Sequence, residues 1–346
     1  MPRFLWEYLK ETNKPIVIYG MGDGCDKIMA VCKKKCISVQ GIFCSDEYVR
    51  AKTVHGFPLM GYSDAKKIFG DMIVLLAFGA FREDLMEKIL AMDRETELYA
   101  PDVPLFGGEL FDRNYYEKHK RDIRYAKGLL ADERSQFVYD SILEYKITGR
   151  IAPLLDCQSQ RETDLTDLLP VKDGDRYLDL GAYDGDTAEE WNKLFPRHGG
   201  IIAVEPNAKT YKKLQQKGST IPRFKAIEAA VWYQKETLYF NGKSGRAAAV
   251  SNEGPLLVQG RRADEICQRA EIIKYDVEGV EREALLGSAG LIRNGAHSLI
   301  VSAYHKTEDL FTLPPLVHAM NRGYKIHLRH SPYVPAWDTL YFFIKE

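Results

Sequence analysis

Twice in this chain a short apolar run breaks at a glycine-rich turn and passes at once into a helical pattern. The first instance is PIVIYGMGDGCDKIMAVCKKK, residues 15–35, and the second is RYLDLGAYDGDTAEEW, residues 176–191. Strands that alternate with helical stretches imply crossovers, and crossovers imply a parallel sheet. ISVQGIFCSDE, GFPLMGY, MIVLLAFG and TELYAPDV continue the alternation after the first turn. GIIAVEP, FKAIEAAVW, ETLYFNG, IIKYDVEG, SLIVSAYH, YKIHLRH and TLYFFIKE continue it after the second. The last few come close together, which predicts antiparallel pairing at one edge of the second sheet.

The chain is therefore expected to hold two α/β units. Its 346 residues suit about two domains of roughly 150 residues each. Residues 1–112 read as a Rossmann-like unit of nucleotide-binding type, 113–168 as a helical connector, and 169–346 as a second α/β domain. Within the connector, Asp132 is a plausible N-cap, Phe137, Ile142 and Tyr145 are placed on one face, and Gly149 is a fitting stop.

Composition excludes several classes of function. Hydrophobic residues make up 45% and charged residues 28%, and the formal net charge is -1. No strongly basic field recruits nucleic acid, and the Lys33–Lys35 cluster reads as a solvated helix end. The longest apolar run, MIVLLAF at 72–78, is far shorter than the ~20 residues a membrane helix needs. The opening MPRFLWEYLKETNKP has no apolar stretch resembling a secretory signal. Six cysteines without a CxxC pair suit a reduced, cytoplasmic setting. No metal site is expected: Cys32 and Cys36 lie one helical turn apart without further ligands nearby.

The second turn carries the chemistry. Asp179, Gly181 and Gly185 make a D-x-G-x-x-x-G arrangement, with Ala182 and Tyr183 between the glycines. Glycines let backbone approach a ligand, and the following helix offers free N–H groups to an anion. The G-x-G-x-x-G spacing of a dinucleotide site is missing, because position 183 is tyrosine. Asp179, Asp184 and Asp186 also surround the turn with negative charge, which repels a pyrophosphate. They suit S-adenosylmethionine, which combines an ammonium, a sulfonium and one carboxylate. Glu205, followed by Pro206, ends the next strand where ribose-binding acids sit in such sheets. Ala229 and Ala230 are small enough for adenine to lie flat against the backbone.

The run RYLDLGAYDGDTAEEW, IIAVEPNAKTYKKL, IEAAVW, IIKYDVEGVEREALLG and SAYHKTEDL resembles the FkbM family of S-adenosylmethionine-dependent methyltransferases, over about half the chain from near 170 onward. KYDVEGVEREALLG, 274–287, is the most specific piece. The resemblance implies a class I methyltransferase fold with a seven-stranded mixed sheet, and O-methylation of hydroxyls on sugars or other natural products. It places Asp179, Gly181 and Gly185 in the cofactor loop, Glu205 as the ribose acid, and Lys274, Asp276 and Glu278 in the signature. Many relatives carry a glutamate two residues before the histidine of the next strand, where this chain has Ala303.

A hydroxyl stays protonated at pH 7 and needs a base as the new bond forms. His305 or Asp276 is the expected base. Lys274 is expected to hold Asp276 or orient the acceptor, with Asp276 and Glu278 facing the methyl position. His305 is expected to be a near-neutral base from its unperturbed pKa. Glu281 reads as a helix-capping or solvated acid. The acceptor is expected to be a small molecule or glycan, free or linked to a nucleotide or carrier, with the loop NGKSGRAAAVSNEGP (241–255) shaping its pocket.

The first turn offers Gly20, Gly22 and Gly24, with Cys25 where a third fingerprint glycine would fall and Asp46 or Glu47 as a ribose acid. It supports a nucleotide site or a turn that only packs. Two other classes of function stay open from these residues: an NAD-dependent sugar-nucleotide oxidoreductase or epimerase, and a non-catalytic recognition protein with a methyltransferase fold.

Overall fold

The computed structural model describes residues 3–50, 52–240, 250–251 and 256–345. The expected acceptor loop, 241–255, lies outside the described residues apart from Val250 and Ser251.

The front unit is built from β1 (Ile16–Tyr19), α1 (Asp23–Lys35), β2 (Gly41–Cys44), β3 (Met60–Gly61), β4 (Ile73–Leu76), α2 (Glu83–Glu95) and β5 (Glu97–Tyr99). Its strands pair in parallel in the order β3-β2-β1-β4-β5. Every residue of β1, β2 and β4 is buried, which is why these strands read as unbroken apolar runs. Strand order reverses between β1 and β4, and the Gly20–Gly24 turn follows β1 at that point.

Helices α3 (Arg113–Gly128), α4 (Glu133–Thr148) and α5 (Arg161–Leu168) form the middle stretch. Asp132 caps α4 by accepting from Ser135 N, and Gly149 ends it in the left-handed conformation at φ 66°. The expected shared face is corrected at one position: Ile142 and Tyr145 are buried, but Phe137 is exposed. Five residues separate 137 from 142, so the two sit well apart around the helix, and Val138 takes the inner position instead. Both caps follow from local chemistry; the inward face is set by what α4 packs on.

That partner is the edge of the rear sheet. The sheet comprises β6 (Arg176–Leu180), β7 (Gly200–Val204), β8 (Phe224–Ile227), β9 (Ile272–Tyr275), β10 (Ser298–Ser302), β11 (Lys325–His330) and β12 (Thr339–Ile344), in the order β8-β7-β6-β9-β10-β12-β11. The first five strands of that order are parallel, and β12 is antiparallel to both its neighbours. Ser135 of α4 accepts from Leu328 N at 2.9 Å and Asp132 contacts His327, so the connector covers the edge strand β11. FKAIEAAVW does not form one strand. β8 stops at Ile227, and Ala230–Val231 pairs instead with Gly260–Arg261 of a separate four-stranded sheet.

One continuous apolar cluster joins Val17 and Val74 of the front sheet, Val138 and Tyr139 of α4, and Leu178, Tyr275 and Phe343 of the rear sheet. Ala80 and Val334 exchange backbone hydrogen bonds at 2.7 and 2.9 Å, tying the loop after β4 to the loop between β11 and β12. The two sheets consequently face each other across a single cavity of about 970 Å³, reached from the strand ends of both.

Candidate active site

The turn after β6 is held by its neighbours. Gly181 N and Ala182 N both donate to Val204 O at 3.0 Å, and Asp276 N donates to Leu180 O at 3.0 Å. Gly181 has φ +81°, and a Cβ there would lie 1.9 Å from Asp276 O. Any other residue would push apart the ends of β6 and β9. Tyr183, where a dinucleotide fingerprint would have glycine, adopts φ 46°. Gly185 then starts α6 (Asp186–Leu194).

Gly181, Tyr183, Glu205, Pro206, Ala229, Ala230 and Asp276 all line the cavity. Asp179, Ala182 and Gly185 do not line it. Ala182 is fully buried behind the turn, packed with Ala203 and Leu214. Asp179 lies beneath the floor, fully buried, where it accepts from Lys274 Nζ at 3.1 Å and from Thr187 Oγ1.

Glu205 follows β7 directly and is 7% exposed. One carboxylate oxygen accepts from Asn207 N at 2.8 Å. Burial raises its pKa to about 7, against the pull of the Asn207 and Tyr183 amides. A buried carboxylate of this kind favours a ligand that offers hydroxyl donors.

Across Gly181 lies a denser cluster. Lys274, 3% exposed, reaches Asp179 at 3.1 Å and Asp276 at 3.6 Å. Burial alone would depress this lysine, but the two aspartates outweigh it and hold its pKa above the ordinary value. Asp276 accepts from Ser302 Oγ at 2.8 Å and Tyr304 OH at 3.0 Å. Burial opposes its ionisation, yet Lys274 and His305 hold its carboxyl well below the usual range.

His305 departs from expectation. Its Nε2 lies 3.6 Å from Asp276 and 3.4 Å from Glu278, and its Nδ1 lies 2.7 Å from Glu281. Burial would lower its pKa, but Glu281 first, then Glu278 and Asp276, raise it to about 10. At neutral pH the ring is an imidazolium, so the near-neutral base expected from the sequence is not what the fold presents. Glu281 is not a solvated acid. It is 1% exposed, and besides facing His305 it accepts from Val277 N at 3.0 Å. Burial and the Glu281 charge hold Asp309 well above the usual carboxylate range. Glu278 sits at φ 56°, a left-handed conformation that costs a non-glycine residue of order 1 kcal/mol and recurs at functional sites. Nothing local in the sequence reveals that Glu281 and His305, 24 residues apart, meet.

Two of the three front glycines are closely packed. A Cβ on Gly24 would lie 2.1 Å from Ala77 O, so this glycine lets α1 lie against the end of β4. Gly20 takes φ +121° beside Phe78, and Gly22 is the residue before α1 and has open space around it. The first turn of α1 carries Asp23 and Asp26, which oppose a phosphate. Asp46, the expected ribose acid, is occupied elsewhere: it accepts from Ser63 Oγ at 2.7 Å and Ser63 N at 3.2 Å, at the start of helix Tyr62–Phe69. Glu47 pairs with Lys88. No group of three or more His, Cys, Asp or Glu suited to a metal ion occurs among the described residues.

The rear sheet's order, with one antiparallel strand inserted beside the last parallel one, is that of a class I methyltransferase, and the chain has this fold. It superposes, over 95% of its own length and 90% of the other, on the FkbM methyltransferase of Methylobacillus flagellatus KT, with a TM-score of 0.73 and 18% identity. The likeness therefore takes in the front unit as well. Over 51% of this chain and 69% of the other it is similar to Aeropyrum pernix fibrillarin, solved with natively bound S-adenosyl-L-methionine (TM-score 0.33, 17% identity). Over 53% and 93% it is similar to an rRNA methylase from Streptococcus thermophilus (TM-score 0.36, 12% identity). No family model matches the chain, and no curated protein matches it.

Proposed function

We propose that this chain is an S-adenosylmethionine-dependent O-methyltransferase acting on a hydroxyl of a sugar, glycan or related metabolite. One observation carries the reading: a single cavity holds Glu205 on one side of the Gly181 turn and the Asp276, Glu278 and His305 cluster on the other. Glu205, Tyr183 and the Ala229–Ala230 pair would hold the nucleoside part of the donor. When bound, the donor supplies a methyl group already activated by a sulfonium. The carboxylate-rich lining suits a ligand with positive charge.

What remains for the protein is alignment, exclusion of water and removal of one proton. The acceptor oxygen bonds to the methyl carbon as the carbon–sulfur bond breaks, and the hydroxyl proton leaves to a group at the cavity floor. With His305 already protonated and Asp276 held firmly ionised by Lys274 and His305, Asp276 orients the hydroxyl by accepting its hydrogen bond, and the Glu278 carboxylate is the favoured destination of the proton. His305 then acts as the fixed positive charge between them. Asp179 and Lys274 keep Asp276 in place from beneath. The acidic first turn of α1 and the engaged Asp46 give no support to a dinucleotide in the front unit.

The test is direct. Calorimetry should detect S-adenosylhomocysteine binding to the purified chain, and transfer of labelled methyl to a glycan extract should require Asp276. Absence of any interaction with donor or product would overturn the reading.

A further inference from the structure

The far wall of the cavity comes from two loops tied together by the Ala80–Val334 bridge. Phe81 and Tyr333, flanking that bridge, stack at 5.3 Å with an interplanar angle of 23°, and Trp337 lies 5.9 Å from Tyr333. All three line the cavity. Gly79 makes the arrangement possible, since a Cβ there would lie 2.5 Å from Tyr333 Oη and 2.7 Å from the Trp337 ring. Phe81 nonetheless stays 59% exposed, an apolar ring facing open space at the mouth of a ligand cavity. Aromatic faces with a few polar groups are how pockets hold ring-shaped ligands.

The charges on this wall select further. Three lysine or arginine side chains line the cavity, and each is already paired. Lys27 reaches Asp23 at 2.7 Å and donates to Leu105 O at 2.9 Å. Arg161 reaches Glu190 at 3.0 Å and Asp338 at 3.2 Å. Lys274 is held by Asp179 and Asp276. The lining carboxylates outnumber these cations even with the His305 imidazolium, itself held by Asp276, Glu278 and Glu281, counted among them. A phosphate entering here meets a negative field, whereas a ring bearing hydroxyls meets acceptors for its O–H groups.

We propose that the Gly79–Phe81 loop and the 331–338 loop form the acceptor's ring-binding subsite, which takes an uncharged, polyhydroxylated ring and rejects a nucleoside diphosphate. The front unit is thus the specificity wall of the methyl-transfer site, without a nucleotide of its own. This rests on the methyltransferase reading, and the experiment separates the two.

The full chain, loaded with S-adenosylhomocysteine, is probed by saturation-transfer NMR with methyl β-D-glucopyranoside, methyl α-L-rhamnopyranoside, UDP and pyrophosphate. At least one glycoside should receive saturation while UDP and pyrophosphate receive none. Phe81→Ala should cut the glycoside signal at least fivefold and Phe81→Tyr should retain it, with S-adenosylhomocysteine affinity unchanged within twofold in both. Because Phe81 is exposed, neither variant threatens folding. The subsite proposal is overturned if UDP or pyrophosphate binds, if neither glycoside binds, or if Phe81→Ala leaves the signal intact. Failure of S-adenosylhomocysteine to bind strikes the methyltransferase reading instead.

Discussion

Glu205 is a carboxylate buried at the end of a strand with no ion pair among the described residues, and that has a measurable cost. Its pKa rises from 4.5 to about 7 on folding. A carboxyl raised in the folded state binds its proton more tightly there than in the unfolded chain. Stability contributed by the protonated form is therefore lost as pH climbs from about 4.5 through 7. Glu205→Gln should melt higher than the parent at pH 8 and indistinguishably at pH 4.5, while binding S-adenosylhomocysteine at least tenfold more weakly. Equal melting temperatures at pH 8 would show that the carboxylate is better solvated than its surroundings indicate. His305 has the opposite sign. Its folded pKa, about 10, lies above the ordinary 6.5, so its contribution is full below 6.5 and is lost as pH rises through 10. Asp276, Glu278 and Glu281 face the ring directly, and Asp309 stands behind Glu281. Glu281→Gln should lower the His305 pKa by more than one unit, read from its ring 15N shifts. A titration that does not move would separate Glu281 from the site.

At the scale of elements, the two glycine turns look alike in sequence and differ in purpose. Both were legible as strand–turn–helix junctions, and so were the α4 caps at Asp132 and Gly149. What each turn serves was not legible, because that depends on which strand end lies opposite. Gly181 abuts Asp276, at the centre of the candidate site; Gly24 abuts Ala77, at the end of a front strand. Gly24→Ala should cost about 1–3 kcal/mol in denaturant unfolding through overpacking against backbone. Gly22→Ala, with nothing within 4 Å, should cost less than about 1 kcal/mol. If the two substitutions cost the same, the close approach of α1 to β4 is wrong. The same limit explains the other differences. The run from Phe224 to Trp232 is apolar enough for one strand, but its second half finds partners in another sheet. Glu281 reads as a helix-start acid from its local sequence, whereas it is 1% exposed and faces His305 and Asp309, the latter at the start of α7 (Asp309–Met320). The residues expected around a cofactor lie mostly on one local motif, whereas the proposed acceptor wall joins Phe81 to Tyr333, which no local pattern connects.

For the whole molecule, the question is whether front and rear units unfold as one. The division at residues 112 and 168 suggests separable domains, but the packing argues for a single cooperative body. One apolar cluster runs through both sheets, and Thr307 Oγ1 donates to Glu109 O at 2.7 Å across the boundary. Phe111, 1% exposed, contacts Tyr115 and Tyr116 of α3, within the same cluster as Phe311 of α7. Scanning calorimetry should therefore give one transition whose van't Hoff and calorimetric enthalpies agree. On the proposed function, S-adenosylhomocysteine should raise the midpoint of that entire transition, because a ligand that binds only the folded state stabilises everything coupled to its site. Phe111→Ala should lower the same midpoint without splitting it, at a cost of about 3–5 kcal/mol for an aromatic ring removed from a core. Two resolved transitions, with only the upper one responding to S-adenosylhomocysteine, would mean that the front unit folds on its own. The acceptor wall would then be a docked surface able to move relative to Asp276, and no longer a rigid part of one site.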